Sequence, residues 1–296
     1  MKIRVYGSTS NLGAGFDTLG LAVNIFNEFE VKPSNEFSVS IEGYGKELAN
    51  PESNLFIRAF KRTYEFFGKE IEPIKLHQIN NIPVARGLGS SATAIVGGIE
   101  TACILSETYL SLREKLNIAF EFEPHPDNLL PSFLGGFVVS CDCNGNFLYQ
   151  RLPFPEELKI VFVIPEIKVS TEEARKILPK TVPFHEAVGN VQRVSLFISS
   201  LINKDYEALK YAVEDNLHEP YRKRLIPGYE EIKETCYETG AKAVFISGSG
   251  PTICILTLER EEELGEKAVE IFLNAGIRSH YVVAEPSKIG FSVEIL

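Results

Sequence analysis

The sequence predicts an α+β protein in two parts, from three observations. Phe37, Val39 and Ile41 alternate with polar neighbours, as in a half-buried strand. Residues 53–67 place Leu55, Phe56, Ala59, Phe60, Tyr64 and Phe67 on one helical face. Residues 228–284 read as helix, strand, strand, helix, strand with a tight link between the middle strands. That last order suits helices lying on one face of an antiparallel sheet.

Each element carries its own signal. Lys2–Tyr6 is a strand-like start, and the first half reads as strands around one helix. Ser53 or Asn54 can cap the 53–67 helix, and Gly68 can close it. A second apolar helix is expected over Ala94–Leu105, just after a glycine-rich loop. Pro153 and Pro155 interrupt the pattern, which divides residues 1–155 from 156–296. Lys159–Ile164 then forms a strand, and Ser170-Thr171-Glu172-Glu173 starts a helix. Helical patterns occupy roughly 186–203, 205–217 and 228–239, the last ending at Gly240. Strands Lys242–Ile246 and Thr252–Leu258, a helix Glu261–Ala275 and a strand Ser279–Ala284 follow.

Composition narrows the function. The 296 residues are 44% hydrophobic and 24% charged, ordinary for a globular protein with a full core. A formal net charge of −10 argues against general nucleic-acid binding, yet a few bases and backbone N–H groups suffice for a nucleotide. Five cysteines fit a reducing compartment better than a disulfide framework. Cys141 and Cys143 have no second pair at metal-ligand spacing, so no zinc site is expected. With no apolar signal segment and no run approaching ~18 apolar residues, the expectation is a soluble cytoplasmic protein with no membrane partner.

Three small-residue loops carry the chemistry. Pro83-Val84-Ala85-Arg86-Gly87-Leu88-Gly89-Ser90-Ser91-Ala92-Thr93 puts two glycines and two serines immediately before a helix. Unblocked N–H groups and the positive dipole end meet there, which suits a polyphosphate, and a serine hydroxyl can reach a bound Mg²⁺. A plain glycine turn with Ser90 as N-cap is the competing reading. No G-K-[ST] follows, so this is not a Walker A loop, and Asn80–Pro83 makes a poor central strand for a dinucleotide fold. Ser8–Asp17 gathers hydroxyls, an amide and a carboxylate after the first strand. Ser247-Gly248-Ser249-Gly250-Pro251-Thr252 joins two strands. Either of these alone reads as a polar turn.

Together the three loops resemble, in order, the three motifs of the GHMP small-molecule kinases. Further segments are similar to the branch of that family that acts on L-homoserine. These are His125-Pro126-Asp127-Asn128 with Pro131 and Gly135-Gly136-Phe137, Ser170–Arg175 with Leu178-Pro179, and Glu219-Pro220-Tyr221-Arg222 with Leu225-Ile226-Pro227. Tyr6 and Pro124 depart from the usual pattern, standing where proline and glycine are common.

The resemblance implies an N-terminal domain like ribosomal protein S5 domain 2 and a ferredoxin-like C-terminal domain. It implies transfer of phosphate from ATP to L-homoserine with Mg²⁺, a step towards threonine, by a homodimer. Pro83 to Thr93 would bind ATP, and Ser91 would bind the metal with Glu123, preferred over Glu121. Arg175 and Arg222 would take the substrate carboxylate, with Asn11, Asp17, His125, Asn128, Thr171 and Gly248 completing the pocket. Asp127, Asn128 and Asp17 would sit at the reacting hydroxyl, with positioning rather than a strong base driving transfer. A family kinase for another small alcohol, or a non-catalytic ligand-binding homologue, is the alternative.

Overall fold

The computed structural model describes residues 1–295. Its first half contains β1 (Lys2–Ser10), β2 (Leu19–Pro33), β3 (Ser38–Gly43), α1 (Leu55–Phe67), β4 (Ile74–Asn80), α2 (Ser90–Leu105), α3 (Leu112–Phe120), α4 (Pro126–Leu134), β5 (Phe137–Cys143) and β6 (Asn146–Leu152). Then come β7 (Lys159–Pro165), α5 (Thr171–Lys176), α6 (Phe184–Asn203), α7 (Leu209–Ala212), α8 (Glu219–Arg222) and α9 (Tyr229–Thr239). The chain ends with β8 (Ala243–Ile246), β9 (Ile253–Thr257), α10 (Glu261–Asn274), β10 (Ser279–Ala284) and β11 (Phe291–Glu294).

The first sheet runs β11-β1-β2-β4-β3, and the long β2 pairs β4 with its second half and β5 with its first three residues. All its pairings are antiparallel except β3 with β4. Helices α1 to α4 cover one face, burying Val5, Phe29, Phe56, Phe60, Val96 and Leu130. Asn54 caps α1, its Oδ1 accepting the Ile57 N–H at 3.2 Å, and Gly68 ends it in the left-handed region. Close packing of α1 on α2 depends on Gly98, where a Cβ would come within 2.3 Å of the Phe56 carbonyl oxygen.

The second sheet is antiparallel, in the order β10-β7-β9-β8. Strand β7 alternates between its two faces. Val161 and Val163 meet α9 and α10 through Ile232, Leu264 and Phe272. Ile160, Phe162 and Ile164 face a second core with Leu21, Val23 and Phe137 of the first sheet and Phe197 of α6. The expected layer of two helices on one face of an antiparallel sheet is present.

Three features differ from the sequence expectation. Helices α3 and α4 add to the first half; both are nine residues, and α4 contains Pro126 and Pro131. The helix expected over 205–217 shrinks to the four residues of α7, because side chains intercept the backbone beyond it. Asp215 accepts the N–H groups of His218 and Glu219, and Asn190 accepts that of Asn216. Finally, the chain recrosses the boundary near 155. Residues 285–287 bond to β2 (Asn24 N–H to Glu285 O, 2.9 Å; Ser287 N–H to Ala22 O, 2.8 Å), and β11 pairs with β1.

Candidate active site

The loops picked out in the sequence meet in one cleft of about 610 Å³, counting the solvent at its mouth. It lies where the β1–β2 turn, the β4–α2 loop, the start of α4, α5, α8 and the β8–β9 loop converge.

The β4–α2 loop forms one wall with Pro83, Ala85, Arg86, Gly87, Leu88, Gly89, Ser90, Ser91 and Ala92. Gly89, with φ +72°, is the N-cap of α2 and has no side chain to cover the first-turn N–H groups. A Cβ at Gly87 would lie 2.0 Å from the Ser247 carbonyl oxygen. The approach is that close because the Ser247 hydroxyl donates to the Gly87 carbonyl at 2.6 Å, while the Ser8 N–H donates to Leu88 O at 3.2 Å. All three small-residue loops are therefore bonded to one another.

Two members of the 83–93 stretch do not line this cleft. Thr93 is fully buried; its hydroxyl donates to Ser90 O and accepts from Asn27 Nδ2, which fixes the loop from behind. Val84 faces a neighbouring pocket, about 490 Å³ when the solvent at its mouth is included, with Ile41, Leu48, Leu55 and Ala94, which shares Ser90 and Ser91 with the cleft. Arg86 spends its guanidinium on carbonyls, donating Nε to Pro165 O at 3.0 Å and Nη1 to Val84 and Ala85.

The opposite wall carries the charged groups. Arg175 donates two hydrogen bonds to the Asp17 carboxylate, at 2.6 and 3.2 Å. Asn11 donates to Gly248 O at 2.8 Å and accepts the Asp17 N–H at 3.1 Å. Arg222, 2% exposed, donates Nη1 to Gly248 O at 2.9 Å and Nε to Ala174 O at 3.3 Å. The Phe16 ring lies 5.4 Å from the Arg175 guanidinium carbon and 5.2 Å from that of Arg222, a cation–π contact to each. Burial, reinforced by Arg175, lowers the Arg222 pKa to about 10, so it stays charged at neutral pH. Thr171, at the start of α5, lines the same wall.

At the start of α4, Glu123, His125, Asp127 and Asn128 line the cleft. The Glu123 carboxylate bonds to His125 Nδ1. Asp127 is buried with Oδ1 unpartnered; burial first, then the Asp17 charge, push its pKa up to about 7. The Ser10 hydroxyl and Arg175 Nε are likewise buried and unpartnered. Glu121, the other acid considered, points elsewhere and takes a two-pronged bond from Arg62.

Other residues at the cleft carry no individual signal in the sequence. Ser10 and Ser249 line it and lie inside the first and third loops, so their loop membership was a usable signal. Phe16 and His218 stack behind the arginines at 5.0 Å, and no local pattern announces that pair.

Residues 54–136 match the family described as GHMP kinases N terminal domain, and residues 197–276 the one described as GHMP kinases C terminal. A homoserine kinase of Aquifex aeolicus is 53% identical over 92% of this chain and 91% of its own length. One of Persephonella marina is 46% identical over 100% of this chain and 99% of its own. The crystal structure of homoserine kinase from Cytophaga hutchinsonii superposes with a TM-score of 0.87 at 28% identity, covering 99% of this chain and 97% of that one. Mevalonate kinase of Methanococcus jannaschii, at 16% identity, TM-score 0.70 and coverage of 97% and 98%, shares the fold. With three mutually bonded small-residue loops around one charged cleft, and near full-length relatives at this identity, the chain belongs to the GHMP kinase family, among its homoserine kinases.

Proposed function

We propose that this protein transfers the γ-phosphoryl group of ATP to the hydroxyl of L-homoserine, giving ADP and O-phospho-L-homoserine, a step towards threonine. The observation that carries the reading is the pairing, across one cleft, of an uncovered helix N-terminus at Ser90–Ala92 with two arginines at Arg175 and Arg222. N–H groups at the dipole's positive end suit the phosphates of ATP, and guanidinium groups suit an amino-acid carboxylate. The pocket beside Ser90 and Ser91 mixes Ile41, Leu48, Val84 and Ala94 with the amides of Asn54, Gln78 and Asn80, a lining suited to the apolar faces and polar edges of a nucleotide base.

Homoserine is a zwitterion, and the Asp17–Arg175 pair is its complement. The ammonium group binds Asp17 while the carboxylate takes Arg175 and Arg222. Asn11, Thr171 and the Gly248 backbone fix the chain between them, and His125 and Asn128 flank the hydroxyl. Asp127 orients that hydroxyl through its unpartnered oxygen. The new bond joins the hydroxyl oxygen to the γ-phosphorus as the bond to the β–γ bridging oxygen breaks; the hydroxyl proton leaves through an oxygen of the transferred phosphoryl group to water, and in-line placement supplies the acceleration.

The donor set fits Mg²⁺ with nucleotide phosphates as co-ligands. Among the described residues no group of three or more His, Cys, Asp or Glu could hold a metal alone. Ser91 and Glu123 offer two oxygens on the same cleft, and a hard cation completes its shell with phosphate and water. When bound, Mg²⁺ neutralises charge on the phosphates.

A homodimer is supported by α6, whose outer face exposes Phe184, Val188, Val191 and Ile202. A cytoplasmic setting is supported by five cysteines, all free; no described helix is long and apolar enough to cross a membrane. The deciding experiment is a coupled assay of ADP release over a panel of alcohols, with and without Mg²⁺. Homoserine-dependent, Mg²⁺-dependent release is expected; turnover of another alcohol with homoserine inert refutes the substrate assignment. Light scattering at working concentration tests the dimer.

A further inference from the structure

We propose that His218 is a positioning residue for Arg222, holding the guanidinium at the angle from which it receives the substrate carboxylate. This rests on the reading that Arg222 binds that carboxylate.

His218 is fully buried, at 0% exposure, and both ring nitrogens are engaged. Nδ1 lies 3.3 Å from Arg222 Nη1, and Nε2 lies 3.0 Å from the Gly13 carbonyl oxygen. Arginine has donors and no acceptor, so Nδ1 must present a lone pair. The proton is then on Nε2, donated to Gly13 O. A carbonyl on one side and a guanidinium on the other thus dictate a single tautomer of a neutral ring.

The ring is fixed in every direction. It stacks on Phe16 at 5.0 Å with a 24° tilt, and Phe16 is the surface on which both guanidinium groups rest. From its own segment it faces Asp215, whose carboxylate lies 3.6 Å from Nε2. That carboxylate is already occupied by the N–H groups of His218 and Glu219 and by Asn190 Nδ2, each at 2.7 Å. The remaining charged groups near it are Arg222 and Asp17, and burial outweighs the acids in keeping the ring neutral.

Arg222 therefore has three anchors: Gly248 O, Ala174 O and His218 Nδ1. Nη2 has no hydrogen-bond partner among the described residues and is left for a ligand. Because Nη1 has two hydrogens, losing His218 leaves one of them unpaired and the guanidinium held in its plane by Gly248 O and Ala174 O alone.

The test separates the two nitrogens. In His218→Asn the amide oxygen reaches about where Nδ1 sits, so the Arg222 contact survives. In His218→Gln the amide reaches about where Nε2 sits, so only the Gly13 contact survives. In His218→Phe the stack on Phe16 survives alone. Steady-state kinetics should show the homoserine KM within about three-fold of wild type for His218→Asn, and raised about ten-fold or more for His218→Gln and His218→Phe. The ATP KM should hold within about two-fold throughout. An unchanged homoserine KM in His218→Gln and His218→Phe overturns the inference. Arg222→Lys distinguishes the two levels: if it too leaves the homoserine KM unchanged, the carboxylate assignment itself fails. Should the variants not fold, ¹⁵N NMR of the wild-type imidazole decides. An unprotonated Nδ1 between about pH 6 and 8 is expected, and a proton on Nδ1 refutes the proposal.

Discussion

Arg175 and Asp17 are locked together at the edge of the cleft, Nη2 donating to Oδ1 at 2.6 Å and Nη1 to Oδ2 at 3.2 Å. Their side chains are 34% and 39% exposed, so the pair contributes only ~0–1 kcal/mol to stability. Its value is positional, tying α5 to the β1–β2 turn and offering a zwitterionic ligand a charge of each sign. Arg175→Ala should lower kcat/KM for homoserine by at least about 100-fold, while Asp127→Asn, which keeps shape and polarity, should lose less than about 10-fold. Equal collapse of both, in folded protein, would mean that Asp127 works as a base.

The two candidate acids should separate by metal demand. Glu123→Gln should raise the Mg²⁺ concentration needed for half-maximal rate by about ten-fold. Glu121→Gln should leave it unchanged, because Glu121 is held by Arg62 outside the cleft. The second substitution removes one surface ion pair worth ~0–1 kcal/mol. A Mg²⁺ titration of both variants would settle the ligand.

Gly87 admits no side chain. Its φ is +73° and a Cβ would collide with Ser247 O at 2.0 Å. Gly87→Ala must push the β4–α2 loop off the third loop, so, on the proposal that this loop holds the phosphates, the ATP KM should rise about ten-fold or more with little change in homoserine affinity. Binding calorimetry with a non-hydrolysable nucleotide checks it.

Buried Asp127 should leave a mark on stability. Its carboxyl rises from an ordinary 3.8 to about 7 in the folded state, so the native protein binds the proton more tightly than the unfolded chain. This group's contribution is most favourable below the unfolded value and is lost as pH rises from about 4 to about 7. The upper bound is roughly 4 kcal/mol. Asp127→Asn should therefore gain stability relative to wild type as pH increases over that window. A constant difference between the two Tm curves from pH 4 to 8 would contradict the assignment.

Much of this molecule is legible along the chain where the signal is local. Asn54 and Gly68 bound α1 as caps should, and Ser170 and Glu173 form the capping box that opens α5. The small-residue loops announce themselves because glycine is needed where backbones touch. Other features depend on distant partners. Nothing near Glu121 reveals that Arg62, 59 residues earlier, will claim it. Nothing in the run around His218 shows that its ring will stack on Phe16 and bond to Gly13. Helix α4 stays hidden because two prolines in nine residues read as a loop.

The return of residues 285–287 to β2 has a mechanical consequence. Backbone bonds from Glu285 and Ser287 to Asn24, Ala22 and Gly136 rivet the second sheet to the first along the strand that runs out from the β1–β2 turn. Swinging the halves apart like a clamshell would break that seam and expose the apolar layer containing Leu21, Phe137 and Phe162. Ligand entry and product escape are therefore expected to need only small excursions of loop and side chain, because parting the two sheets would sacrifice both the seam and the apolar layer.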